Sequence, residues 1–479
     1  MNTGINDINL IFPEISVLAL ACFGLVLDTF SKDPERKITY WLAQCTLILT
    51  MILLLFIQPT GVNFAFNRTF ISDPMSTVLK IIICGVCLFV FMYSHEYLKK
   101  HEWLKGEYFI LGLFAVLGMM VMVSAYSLLT VYLGLELLSL SLYAMVAFNR
   151  KSAAASEAAM KYFVLGAIAS GMLLYGISML YGVTGTLQLD QLSHALAANE
   201  TMSMLMTFGL VFIIVGVAFK LGAVPFHMWV PDVYQGAPTA VTLFIGSAPK
   251  IAAFAMAIRL LVNGMHPLMV DWQQMLLILA VLSMATGNII AISQTNLKRM
   301  LAYSTIAHIG YLLLGLVAGS PSGFAAGMFY AITYALMSTG AFGIIILLSR
   351  KGFESDNLED LKGLADKSPW FAFIMMILMF SMAGIPPFVG FWAKWFVLKE
   401  IIAANMTWLA AVAVVFSIIG AYYYLRVVKL IYFDKAENMT AIKSSRQMRF
   451  ILSVNGLAIL AIGLLPDSLL SVCLSALSH

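Results

Sequence analysis

The chain is 479 residues long, 61% apolar and only 11% charged, with a net charge of +4. Soluble domains average ~45–50% apolar and ~25% charged, and so little polar surface could not cover a soluble core of this size. The basic residues form no long run, so nothing here points to nucleic acid; membrane lipid is the expected surrounding.

A membrane span needs roughly 20 apolar residues, and such runs recur along the whole chain. The predicted helices are 9–30, 38–57, 75–94, 107–125, 128–148, 154–181, 203–229, 240–261, 275–293, 300–317, 323–349, 370–402, 408–433 and 450–474. The expected fold class is therefore an all-α polytopic membrane protein of about 14 transmembrane helices. No basic stretch precedes the first span, so no cleavable signal peptide is expected. The run at 370–402 is too long for one straight helix and predicts a break. Cys84 and Cys87 make a CxxC within span three, and Cys22, Cys45 and Cys473 also lie in apolar runs. A redox or zinc CxxC needs a polar setting, so all five read as packing residues.

The lysines and arginines orient the spans. With loops numbered in order, the odd loops carry eighteen of them, Lys443 included, while the even loops and both termini carry one, Arg68. The positive-inside rule makes the odd loops cytoplasmic and puts both termini on the outer side. A miscounted span would scramble this alternation, so it also supports fourteen. Nine basic residues remain within spans. Lys80, Arg259, Lys399, Arg426 and Lys429 fall near span ends, where snorkelling accounts for them. Lys161, Lys220, Lys250 and Lys394 do not.

An internal repeat is visible. Gly222-Ala223-Val224-Pro225-Phe226 in span seven resembles Gly384-Ile385-Pro386-Pro387-Phe388 in span twelve. Ala158-Ala159-Met160-Lys161-Tyr162-Phe163 in span six resembles Ala325-Ala326-Gly327-Met328-Phe329-Tyr330 in span eleven. The two matches lie at similar offsets along the chain, 162 and 167 residues. Five spans fit in such an offset, and an odd number turns one copy upside-down relative to the other. Inverted repeats with helices broken near mid-membrane are a transporter signature, and a proline inside spans seven and twelve predicts such breaks. The chain divides into an N-terminal three-helix segment (1–106), a first inverted repeat of helices four to eight (107–261), a second (262–433), and a C-terminal helix (434–479).

An ionisable residue at the bilayer centre costs at least ~2.5–3.5 kcal/mol. Glu136 lies near the middle of span five, Lys220 two residues before the break in span seven, Lys250 directly after Pro249 in span eight, Lys161 early in span six, and Lys394 after the break in span twelve. Fixed ion pairs gluing helices would be the structural explanation. Glu136 with Lys220 suits it, but one acid cannot neutralise four lysines. A lysine unpaired in low dielectric gives up its proton more readily, and a carboxylate that pairs and unpairs with it would switch its charge; the set reads as a proton relay. Of seven histidines only His227 and His308 are placed in spans; each reads either as a hydrogen-bonded helix contact or as a shuttle between lysines. Two span histidines are too few for a multi-haem protein, and neither a dinucleotide fingerprint nor a P-loop occurs. The acidic and basic residues of 350–367 read as a solvated cytoplasmic connector.

Two stretches carry a resemblance. Ala218-Phe219-Lys220-Leu221-Gly222-Ala223-Val224-Pro225-Phe226-His227-Met228-Trp229-Val230-Pro231-Asp232-Val233-Tyr234-Gln235-Gly236-Ala237-Pro238-Thr239 and Leu297-Lys298-Arg299-Met300-Leu301-Ala302-Tyr303-Ser304-Thr305-Ile306-Ala307-His308-Ile309-Gly310-Tyr311 resemble the antiporter-like subunits of respiratory complex I, the bacterial NADH:quinone oxidoreductase. Of the L, M and N branches, the chain is most similar to N: Lys394 stands where M has a glutamate, and the long C-terminal lateral helix of L is not expected. The resemblance implies a controlling pair of Glu136 and Lys220, a central relay at Lys250 and an end of the path at Lys394. It matches Lys161 to an additional span-six lysine, and His227 and His308 to family positions. It implies no cofactor in this chain, with flavin (FMN) and iron–sulfur clusters in partner subunits, and it implies membrane-arm partners including the antiporter-like M subunit and small neighbouring subunits. A component of a multisubunit cation/proton antiporter without a redox link is the alternative, and a purely structural membrane arm a third reading.

Overall fold

A computed structural model of the chain describes residues 3–57, 61–198, 202–435 and 444–478; Lys443 lies outside the described residues. Among these residues, thirteen helices are long and apolar enough to cross a membrane. The expected twelfth span, split into Pro369–Ala383 and Val389–Ala403, makes the fourteenth. Span eight is wholly enclosed and spans ten and eleven nearly so, whereas one, six and thirteen turn most of their surface outward. Apolar side chains on that outer surface, such as Ile168 and Ile418, suit lipid or a neighbouring subunit.

Small residues set how closely the helices approach. A Cβ on Gly118 would lie 2.6 Å from the Leu138 nitrogen and 2.8 Å from the Gly134 oxygen, which locks span four onto span five. A Cβ on Gly287 would lie 2.5 Å from the Ala307 nitrogen and 2.7 Å from the Tyr303 oxygen, locking span nine onto span ten in the same pattern. One common displacement along the chain carries Gly118, Gly134 and Leu138 onto Gly287, Tyr303 and Ala307. The repeat seen in spans six, seven, eleven and twelve thus extends to the close-packed helix pair that precedes them.

Both expected breaks are present. The first half of span seven, Met204–Leu221, ends at Gly222 with φ 87°, and the chain resumes as the short helix Trp229–Gly236. The first half of span twelve ends at Gly384, also with φ 87°. A left-handed glycine is the ordinary way to stop a helix, and the prolines that follow have no N–H with which to continue it. The peptide bonds Val224–Pro225 and Pro386–Pro387 are both cis. Span eight, expected as one helix, is interrupted as well: Thr239–Ile245 stops before Gly246 and Ser247, and Ala248–Ala257 begins again with Pro249 in its first turn. A π-helical turn, Ile258–Gly264, completes it. Span fourteen, read as one helix over 450–474, is Arg446–Leu464 followed by Pro466–Leu477, because Pro466 starts a new helix rather than extending the old one.

Several sequence expectations are corrected by packing. Lys80 and Arg259 do not snorkel. Lys80 is buried and pairs with buried Glu14 at 2.5 Å. Arg259 makes two 2.8 Å bonds to Asp73, and its Nε donates to the Val123 carbonyl at 3.0 Å. His95 belongs to the third helix, Pro74–Lys100, and lies against Tyr40. The 350–367 segment is not simply solvated: Leu358, Leu361 and Leu364 are buried, and Glu354 accepts hydrogen bonds from Tyr97 at 2.7 Å and Thr239 at 2.8 Å. Also unexpected are a hairpin, Asn63–Ala65 with Phe70–Ser72, and a helix at Leu189–Ala197.

Removing one member of a buried ion pair leaves the other charge uncompensated, at a cost of about 3–5 kcal/mol. Arg259→Ala should lower the thermal midpoint of the purified protein strongly. Adding Asp73→Asn should recover part of the loss; no recovery would show that the pairing is not what holds these segments.

Candidate functional site

The site is built around carbonyls that the breaks set free. At the end of a helix the last carbonyls have no intrahelical partner. The Lys250 ammonium, 1% exposed, donates to the Leu221 carbonyl at 2.8 Å, at the break in span seven. The Lys394 ammonium donates to the Ala383 carbonyl at 2.8 Å, at the break in span twelve. Leu221 and Ala383 are equivalent in the repeat, each standing directly before the left-handed glycine. Each ammonium also sits over an aromatic face, Lys250 at 5.2 Å from the Trp229 ring and Lys394 at 5.0 Å from the Tyr311 ring. Contacts of that kind stabilise a desolvated cation. Lys394 makes a second bond, to the Ser417 hydroxyl of span thirteen at 2.8 Å.

Glu136 and Lys220 approach one another without a direct ion pair among the described residues. Lys220 donates to the Ser139 hydroxyl at 2.9 Å, and Ser139 sits one turn along from Glu136 on the same helix. Glu136 accepts from the Ser170 hydroxyl of span six. Ser139 in turn donates to the Leu135 carbonyl of its own helix at 2.6 Å.

His308 is buried on span ten. Its Nδ1 lies 2.7 Å from the Tyr330 hydroxyl and its Nε2 3.0 Å from the Tyr424 hydroxyl. A cavity of about 10 Å³ separates His308 from Lys394, bounded also by Asn288, Tyr311 and Tyr424. That is about the room one water occupies. One turn before His308, Thr305 accepts from the Tyr334 hydroxyl at 2.6 Å.

Residues 125–420 match the family model described as NADH:quinone oxidoreductase/Mrp antiporter, TM, and residues 57–109 match that of NADH-Ubiquinone oxidoreductase (complex I), chain 5 N-terminus. The chain is 56% identical over 479 residues to NADH-quinone oxidoreductase subunit N of Thioalkalivibrio sulfidiphilus, covering 100% of both chains. The chain belongs to the NADH-quinone oxidoreductase subunit N family. A chain of respiratory complex I from Thermus thermophilus superposes with a TM-score of 0.81 at 32% identity, over 97% of this chain and 98% of that one. A chain of the Mrp complex from Dietzia sp. DQ12-45-1b shares the fold, with a TM-score of 0.85 at 21% identity over 99% and 97%.

Of the seven residues singled out by sequence, Lys220, Lys250, His308 and Lys394 are buried and Glu136 is half-buried against Ser170. Two are placed otherwise than expected. Lys161 is no buried mid-span lysine: its side chain is 43% exposed and pairs with Asp232 at 2.8 Å and Glu157 at 2.9 Å. Glu136 is therefore not the only acid serving the four lysines, since Asp232 and Glu157 neutralise this one. His227 lies in the break itself rather than in a helix, half-buried, and no hydrogen bond joins it to either lysine among the described residues; its Nδ1 is buried without a partner. Sequence reading missed Ser139, Ser417, Tyr330, Tyr424 and Trp229. Helical spacing places Ser139 next to Glu136 and could have found it, and Trp229 opens the short helix after the break in span seven; Ser417, Tyr330 and Tyr424 meet the site from other spans.

A Cβ on Gly384 would come within 3.0 Å of Lys394 Cδ and 3.1 Å of its Nζ, at a backbone angle that side chains seldom adopt. Gly384→Ala should therefore destabilise by about 1–3 kcal/mol. Gly171→Ala, with nothing within 4 Å, should be neutral. Thermal unfolding of the two variants checks this; equal midpoints would contradict the packing at the break.

Proposed function

We propose that the chain translocates protons as a membrane subunit of NADH:quinone oxidoreductase, whose electron transfer from NADH to quinone takes place in other subunits. The observation that carries the reading is the matched pair of buried lysines, each bonded to a carbonyl released by a helix break at equivalent positions of two inverted repeats. A neutral hydroxyl could satisfy such a carbonyl, so an ionisable group at both breaks points to proton chemistry. A lysine that also has room for water beside it, as Lys394 does, can exchange a proton with its neighbours.

The row runs from Glu136 through Ser139 to Lys220, then by the break to Lys250, and in the second repeat through His308 and the small cavity to Lys394. Glu136 acts as the input that biases Lys220, Lys250 as the central relay, His308 as the shuttle, and Lys394 as the outlet. The repeats at 107–261 and 262–433 supply one half-channel each. The subunit sits in the bacterial inner membrane with both termini periplasmic, beside other membrane-arm subunits, including an antiporter-like M type. It holds no redox centre; FMN and iron–sulfur clusters belong to partner subunits. The reading as an antiporter component without redox coupling rests on the shared fold alone.

Lys250→Ala, in an assembled complex in membrane vesicles, should reduce NADH-driven proton pumping by at least about tenfold, the scale of losing a proton-transferring group. Glu136→Gln should do the same. Pumping unchanged in both, with normal assembly, would leave the chain a structural part of the membrane arm.

A further inference from the structure

Three residues beyond the ring that covers Lys250 stands a carboxylate that the proton row does not use. Asp232 lies on the short helix Trp229–Gly236. One of its oxygens is 2.8 Å from the Lys161 ammonium of span six, in the first repeat. The other is 2.8 Å from the Arg299 guanidinium of span ten, in the second. Asp232 is thus the member of this cluster that touches both cations, and through them the short helix is fastened to both repeats.

The same helix covers the lysine. Trp229 is 2% exposed, stacks on Tyr162 at 4.6 Å and donates its Nε1–H to the Phe219 carbonyl at 3.0 Å. Its ring lies 5.2 Å from Lys250 Nζ. The next residue, Val230, presses on the break, where a Cβ at Gly222 would come 2.8 Å from Val230 Cγ2. A shift of this helix moves both Trp229 and Val230 away from Lys250 and from the carbonyl that holds it.

Release strands no cation. Lys161 keeps Glu157 at 2.9 Å, and Arg299 keeps the face of the Tyr303 ring, while its 3.1 Å bond to Gln235 leaves with the helix. The pairs are also about one-third exposed, so water takes over where Asp232 leaves. An ion pair at such a site is modest in energy and breaks readily. This is how a latch is built, in contrast to the fully buried pair of Arg259 and Asp73.

We propose that Asp232 is a positioning residue for Lys250: its two ion pairs latch the helix Trp229–Gly236 across the two repeats, and that helix shields Lys250 from water on the side bearing Lys161 and Arg299. The proposal rests on the relay reading for its purpose but not for its test. In assembled complex carrying Lys250→Cys as a reporter, the thiol is challenged with a small water-soluble cationic methanethiosulfonate. With Asp232 present, or with Asp232→Glu, the thiol should be protected. With Asp232→Asn the labelling rate should rise at least about tenfold, the rate change that 1.36 kcal/mol off a barrier produces. Arg299→Gln, which removes one of the two pairs, should give an intermediate rate and serves if Asp232→Asn does not assemble. Equal protection in every variant overturns the latch. Faster labelling in Asp232→Asn alongside normal pumping by Lys250→Ala would keep the latch and remove the relay reading instead.

Discussion

A carbonyl that its own helix cannot use is the constraint on which the interior depends. Where spans seven and twelve stop at a left-handed glycine, the carbonyls of Leu221 and Ala383 would be orphaned in the membrane interior. An unpaired polar group in hydrocarbon costs several kcal/mol. A lysine brought there satisfies the carbonyl, and the carbonyl in turn supplies the charge-assisted bond without which the ammonium could not be buried. Break and lysine therefore explain each other. Each stabilises the other, and together they leave a titratable group in the interior of each repeat.

The two copies do not use the same residues to reach this arrangement. In the first repeat the lysine comes from span eight, across the break; in the second it comes from the far half of the broken span itself. The offset that carries Gly222 onto Gly384 carries Asp232 onto Lys394. The offset that carries Gly118 onto Gly287 carries Ser139 onto His308 and Glu136 onto Thr305. The first repeat thus carries the acid and an outer latch, while the second carries a histidine, a cluster of tyrosine hydroxyls and a cavity. The backbone is repeated and the chemistry is not.

Much of this was legible in the sequence, for identifiable reasons. Span number followed from apolar runs, and the breaks at Gly222 and Gly384 followed from glycine and proline, which act locally. Glu136, Lys220, Lys250 and Lys394 stood out because charge is rare in such company. What failed was whatever depends on a partner far away in the chain. Lys80 and Arg259 stand at span ends in the sequence, but Glu14 and Asp73 hold them inside, and Lys161 stands within an apolar span, but Asp232 holds it part-exposed. The interruption of span eight at Gly246 was masked because apolar residues surround it on both sides. The hydroxyls of Ser417, Tyr330 and Tyr424 carry no local mark at all, since serine and tyrosine are common in apolar helices.

On the proposed function, the lysines at the breaks carry protons rather than merely close a polar gap. That is tested most directly by counting protons moved per NADH oxidised in vesicles containing the assembled complex with Lys394→Met, a change that keeps the volume and removes the proton. The account predicts that assembly persists and that the proton count falls below that of the unaltered complex. An unaltered count in a correctly assembled complex would contradict it.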